Sequence, residues 1–211
     1  MKLIILGPQG CGKGTQAKII ATDLGIPHIS SGDLFRENIK QQTPLGLQAK
    51  TIMDKGDLVP DQVTNSMVKA RLSKPDCANG FILDGYPRNI DQLKELLGYT
   101  DIDKALDVEI SDDEAIKRVS GRLVCTNCGA GFHINFKKPE QEGVCDKCGG
   151  ALNRRTDDEP EAIIKRLDIY HEKIKPIIEF LKEKGLLTIV NGSQSIEEVT
   201  RDIKLMLRSK F

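Results

Sequence analysis

The segment that most limits what this chain can fold into is Gly7-Pro8-Gln9-Gly10-Cys11-Gly12-Lys13-Gly14-Thr15. It follows Lys2–Leu6, an aliphatic run suited to a buried parallel strand, and from Lys13 to Leu24 the pattern turns helical. Strand, glycine loop and helix in that order make a phosphate cradle. The glycines let successive backbone N–H groups wrap an anion, the helix N-terminus adds positive partial charge, and Lys13 reaches outer phosphates. Gly14 stands where the general pattern has a hydroxyl, which comes one place later at Thr15, so the loop is not expected to ligate magnesium directly.

The rest of the chain alternates in the same style. Gly80–Asp84, Ala105–Ile110 and Leu186–Val190 read as further buried strands separated by helical sequence, which predicts an α/β fold with a parallel sheet covered by helices. Ser111-x-x-Glu114 and Ser195-x-x-Glu198 are capping boxes, and the helix after the second carries Ile196, Val199, Ile203 and Met206 on one face. The longest helix is expected from about residue 159 to 184, with Ile163, Leu167, Tyr170, Ile174, Ile177 and Leu181 at three- and four-residue steps. Two segments stand apart from this core. Residues 30–59 form a helical excursion with a Thr43-Pro44 start and a Gly56-Asp57 stop, and residues 122–158 hold two cysteine pairs among glycines and polar residues.

Lysine plus arginine equals aspartate plus glutamate at 31 each, so no overall basic field favours nucleic acid or a membrane surface, and any anion site must be local. The apolar start at Met1 meets the glycine loop instead of a signal cleavage site, and no stretch approaches a membrane span. A soluble, cytoplasmic protein is expected. Cys125-x-x-Cys128 and Cys145-x-x-Cys148 are separated by 16 residues, within the window of a four-cysteine zinc ribbon. Each pair is followed by glycine, so the two look like matching knuckles presenting thiolates to one tetrahedral ion. Tetrahedral iron could take the same four sulfurs, and such a compartment disfavours disulfides. Four protein ligands leave no open position, which makes the metal structural.

Ser30-Ser31-Gly32-Asp33-Leu34-Phe35-Arg36 is a helix start with an arginine one turn on, and Leu83-Asp84-Gly85-Tyr86-Pro87-Arg88 ends a strand with an acid, a turn and an arginine. Both fit loops at the carboxyl edge of the sheet, where open α/β sheets bind ligands. Together with the loop form Gly-x-x-Gly-x-Gly-Lys-Gly-Thr, these segments resemble the adenylate kinase family, and the four-cysteine insertion resembles the lid of its long-form members. The resemblance runs over nearly the whole chain. Gln9 stands where many members have proline, and Ser31 where they often have threonine.

The resemblance implies a three-layer P-loop fold around a five-stranded parallel sheet, and reversible transfer of the terminal phosphoryl group of ATP to AMP, giving two ADP. It divides the chain into a core (1–29, 60–121 and 159–211), an AMP-binding insertion (30–59) and a lid (122–158). It implies ATP contacts from Gly10, Cys11, Gly12, Lys13, Gly14, Thr15, Arg122, Gly131, Phe132 and Gln194. AMP contacts would come from Ser31, Arg36, Asp57, Leu58, Val59, Gly85, Tyr86, Pro87, Arg88, Gln92, Arg155 and Arg166, with Gln92 facing the adenine. Lys13, Arg88, Arg118, Arg122, Arg155 and Arg166 would neutralise the transferring phosphates, the kind of help phosphoryl transfer needs. Asp84 would orient Mg2+ through water, and a structural Zn2+ would sit on Cys125, Cys128, Cys145 and Cys148. A monomer without nucleic-acid or membrane partners is expected. A UMP/CMP kinase shares the loop and arginines but is usually short-lidded. A nucleotide switch with a nucleic-acid-binding ribbon is disfavoured, because residues 122–158 mix charges and offer only Phe132 and Phe136 for stacking.

Overall fold

The computed structural model describes residues 1–208. In chain order the elements begin β1 (Lys2–Leu6), α1 (Lys13–Leu24), β2 (His28–Ser30), α2 (Ser31–Lys40), α3 (Pro44–Asp54), α4 (Asp61–Leu72), β3 (Phe81–Asp84), α5 (Ile90–Leu97), β4 (Lys104–Glu109) and α6 (Asp112–Ser120). They continue with β5 (Arg122–Cys125), β6 (Gly131–His133), β7 (Leu152–Asn153), α7 (Pro160–Glu183), β8 (Leu187–Asn191) and α8 (Ile196–Arg208). Five strands form a parallel sheet in the order β2-β3-β1-β4-β8, with Ile4 of β1 opposite Leu83 on one side and Ala105 on the other.

The side chains of β1 explain why its sequence is apolar throughout. Ile4 and Leu6 pack with Leu83, Leu93, Leu96, Ile174, Ile177 and Leu181, whereas Leu3 and Ile5 pack the other way with Ala17, Ile20, Val199 and Ile203. A strand covered by helices on both faces has no solvent side for polar residues. The four strands read from the sequence appear within one residue at either end. β2, the fifth, has only three residues and too little pattern to be read alone.

Helix starts follow the chemistry of their caps. Thr43 Oγ1 accepts from Gly46 N at 3.0 Å with Pro44 at the first helical position, and Ser195 and Glu198 bond reciprocally at 3.0 and 3.2 Å. Ser111 caps α6 by accepting from Glu114 N, but the Glu114 carboxylate turns to Ser193 and Arg118 instead of closing the box. The buried face of α8 is Val199, Ile203 and Leu207, with Met206 half-buried against the same cluster; of the apolar face expected from the sequence, Ile196 is exposed. α7 covers 24 residues with Pro176 inside it.

Residues 122–158 build a small antiparallel sheet, β6-β5-β7, over a miniature core of Cys125, Phe132, Cys145 and Leu152. A core of that size cannot stabilise a segment of this length unaided. α2 and α3 pack on each other around Phe35, Ala49 and Val59.

Candidate active site

The carboxyl ends of β1, β2 and β3 deliver three loops to one place. After β1, Gly7, Gly10 and Gly12 take φ of +136°, +81° and +90°, a region costly for other residues. A Cβ on Gly7 would collide with Val108 O, so the loop also needs glycine to clear β4. No side chain caps α1 and its first turn carries no acid, which leaves its N-terminal amides for an anion. Lys13 Nζ folds back over the loop and donates to Pro8 O at 2.8 Å. Gln9, noted in the sequence only for standing in place of a proline, donates through Nε2 to Ile163 O and ties the loop to α7.

Gly14 has a reason of its own. A Cβ there would lie 3.2 Å from Asp84 Oδ2, so the absence of a side chain after Lys13 gives the β3 carboxylate room beside the loop. Burial pushes the Asp84 carboxyl up, but the hydrogen bond from His28 and the charges of Lys13 and Arg88 win and hold it below the usual range. His28 Nε2 lies 3.2 Å from Asp84 Oδ2. This partner was missed in the sequence, where the histidines share no metal spacing; its only signal is the pairing of β2 beside β3, which sets Ser30 opposite Asp84.

Across the cleft stand the arginines. Gly85, at φ +70°, has its carbonyl held by Ser31 Oγ at 2.6 Å and Arg88 Nε at 2.8 Å. Arg36 lies over Gly32 and pairs with Asp33 at 2.6 Å. Arg155 grips Asp157 through Nε at 2.8 Å and Nη2 at 2.5 Å, and Arg166 reaches the same carboxylate at 2.9 Å. Arg122 makes a forked pair with Asp158, and Arg118 donates to Gly192 O at 2.9 Å while pairing with Glu114. The acids of this cage went unread, although Asp157 and Asp158 stand two and three places after Arg155.

The guanidinium groups disturb one another. Burial, then repulsion from Arg155, Arg88 and Arg122, pulls Arg166 down to about 10 despite the pull of Asp157. Arg88 is lowered by burial and by Arg36 and Arg155, and Arg36 by burial and by Arg155. Cations held close enough to depress each other form a site that a polyanion would relieve.

Loop, arginines and lid face one cleft of roughly 1850 Å³. A pocket for one small ligand is about 300–1,000 Å³, so this space suits two. Gly10, Cys11, Gly12, Thr15, Leu58, Pro87, Gly131 and Gln194 line it, as do all six arginines named above. Other expected residues are placed otherwise. Tyr86 is fully buried, its hydroxyl donating to Asn65 Oδ1 at 2.9 Å; Val59 packs with Phe35; Asp57 turns to Lys165; and Gln92 is buried with its amide bonded to Asp61 and to Arg88 N. Phe132 lines the cleft as well, while packing in the small core of the lid beneath Lys137.

The sulfur atoms of Cys125, Cys128, Cys145 and Cys148 all lie within 4.8 Å of one another, with Cys125–Cys148 at 3.5 Å and Cys128–Cys145 at 3.6 Å. Four thiolates about 2.3 Å from a tetrahedral zinc would be about 3.8 Å apart, so the donors fit that ion. The two knuckles match in detail: Gly129 and Gly149 both have φ +69°, and each donates to the carbonyl of the first cysteine of its pair, at 3.0 and 2.8 Å.

Comparison with known proteins decides the family. A profile described as adenylate kinase matches residues 5–186. The chain belongs to the adenylate kinase family. An adenylate kinase of Caldicellulosiruptor bescii is 49% identical over 209 residues, covering 96% of this chain and 97% of the relative. Those of Streptomyces avermitilis and Methanocella arvoryzae are 50% and 47% identical, covering 95% and 99% of the chain, and 94% and 99% of their own lengths. This adenylate kinase family member is therefore a nucleoside monophosphate kinase using Mg2+ with ATP, and its four-thiolate site is a structural zinc site. Among the described residues no helix is long and apolar enough to cross a membrane.

Proposed function

We propose that ATP lies with its phosphates in the 7–15 loop and AMP with its phosphate among Arg36, Arg88, Arg155 and Arg166, so that one terminal phosphoryl group passes directly between them. The observation that carries this is the meeting of an uncapped, glycine-lined helix N-terminus with a self-repelling arginine cluster in one cleft. An AMP phosphate oxygen forms the new bond to the terminal phosphorus as the bond to the bridging oxygen breaks, leaving ADP on both sides. No phosphoenzyme forms.

Lys13 and the amides of Gly10 to Thr15 take the ATP phosphates, while Arg118, Arg122, Arg155 and Arg166 spread positive charge over the transferring group. Magnesium, when bound, neutralises phosphate oxygens; the ionised Asp84 would orient its water shell. Asp157 and Asp158 hold Arg155, Arg166 and Arg122 in place, so little side-chain entropy remains to be lost on binding. Residues 30–59 form the AMP-binding part and 122–158 a zinc-stabilised lid that closes over ATP and excludes water, with Gly131 and Gln194 at the nucleoside end; the remainder is the core. The enzyme works as a cytoplasmic monomer.

A coupled assay of ADP formation with AMP, CMP, UMP and GMP tests this reading. AMP should be the preferred acceptor, with two ADP formed per turnover. A preference for CMP or UMP, or no ADP at all, would overturn it.

A further inference from the structure

The side-chain amide of Gln92 is 1% exposed and is held at both ends. Its Oε1 accepts from Arg88 N at 2.7 Å, and its Nε2 donates to Asp61 Oδ1 at 2.6 Å. The two partners cannot exchange roles, since a backbone N–H only donates and an ionised carboxylate only accepts. Turning the amide over would set nitrogen against N–H and oxygen against carboxylate, two repulsive contacts with no water to relieve them. Asp61 is itself fixed, because Asn89 Nδ2 donates to Oδ1 and Oδ2 at 3.0 and 2.8 Å. Asn89 in turn caps α5 by accepting Gln92 N at 2.8 Å, which closes a ring joining the first turn of α4 to the start of α5.

An amide has two N–H groups and two lone pairs on oxygen, so one of each is left over to meet a nucleobase edge. We propose that Asp61 is a specificity-determining positioning residue: by forbidding the turn of the Gln92 amide, it fixes which atom meets the six-position of the acceptor's purine ring. With oxygen and nitrogen locked in this sense, Gln92 accepts from a six-amino group and donates to the unprotonated N1 of adenine. A six-oxo purine, with an acceptor at position six and a proton on N1, needs the reverse presentation and is rejected, the kind of discrimination that buried polar pairing provides. This rests on the reading of Gln92 as facing the base of AMP.

The test compares kcat/KM for AMP and for IMP, which differ at these two ring positions, in the parent, Asp61→Asn, Asp61→Ser and Gln92→Leu. The amide introduced by Asp61→Asn can offer N–H in place of oxygen and so supports the turned Gln92. The AMP-over-IMP ratio should fall about tenfold in Asp61→Asn. Asp61→Ser removes the carboxylate without supplying an amide and should lower the ratio as well, keeping the test available should Asp61→Asn not fold. Equal losses on both acceptors, or an unchanged ratio in folded Asp61 variants, would make Asp61 merely structural and overturn the proposal. Gln92→Leu separates the two layers: if it leaves kcat/KM for AMP within about twofold, the base-facing reading fails and the proposal with it.

Discussion

Asp107 lies on β4 between Leu6 and Ile189, has no solvent exposure, and receives one long hydrogen bond, from Tyr170 Oη at 3.4 Å; its Oδ2 has no partner. Burial, reinforced by the neighbouring charge of Glu109, raises its carboxyl to about 6, with Tyr170 and Lys13 opposing. An aspartate in the unfolded chain titrates near 3.9, so the native state holds a proton that the unfolded state has lost over the window between these values. The associated stability is fully present below about pH 4, falls as the pH rises toward 6, and stays lost above it. Two units correspond to about 3 kcal/mol over the full window, of which about 1.4 kcal/mol falls between about pH 5 and about pH 8. Asp107→Asn keeps the shape and does not titrate. Urea unfolding of parent and variant at those two pH values should therefore show the variant gaining on the parent by about 1–1.5 kcal/mol toward alkaline pH, whatever the offset at pH 5. A gap that is constant with pH, or that narrows, would refute the claim that this carboxylate is held uncompensated in the native core.

Four further outcomes follow from the site. Arg88→Ala should lower turnover about a thousandfold, near 4 kcal/mol, with the fold retained; a loss under tenfold in steady-state assay would remove Arg88 from the catalytic group. Cys128→Ser should lower both bound zinc, weighed by mass spectrometry, and melting temperature, while activity survives at low temperature; unchanged stability would contradict a metal-dependent lid. Asp157→Asn should cost about 2–3 kcal/mol in denaturant unfolding at neutral pH, because Arg155 and Arg166 lose their shared partner. Asp157 is pushed up by burial but pulled well below the usual range by Arg155, Arg166 and Arg36, so this contribution is present at neutral pH and is lost as the medium turns acid. Gly14→Ala should reduce phosphoryl transfer about tenfold at saturating magnesium without changing the melting temperature, since its Cβ would crowd Asp84; full activity would show that the carboxylate yields freely.

The sequence by itself determined four of the five strands of the sheet, the glycine loop and the four-cysteine knot, because each is a local pattern whose meaning depends on its immediate neighbours. An apolar run before Gly7 is a buried strand wherever it sits, and Cys-x-x-Cys-Gly makes the same turn at Gly129 and Gly149. The arginines were singled out through the family resemblance, and the fold brings them to one cleft. Their acidic partners were not, since an Asp two places after an Arg on an irregular segment specifies no geometry until α7 brings Arg166 to the same carboxylate. The pairing of β2 with β3 set His28 against Asp84, the approach of α7 to the loop occupied Gln9, and the junction of α4 with α5 locked Gln92 on Asp61. Those contacts join residues from 31 to 154 positions apart in the chain. Hydrogen bonds and desolvation act over a few ångströms of space, so only the folded arrangement decides which groups feel them.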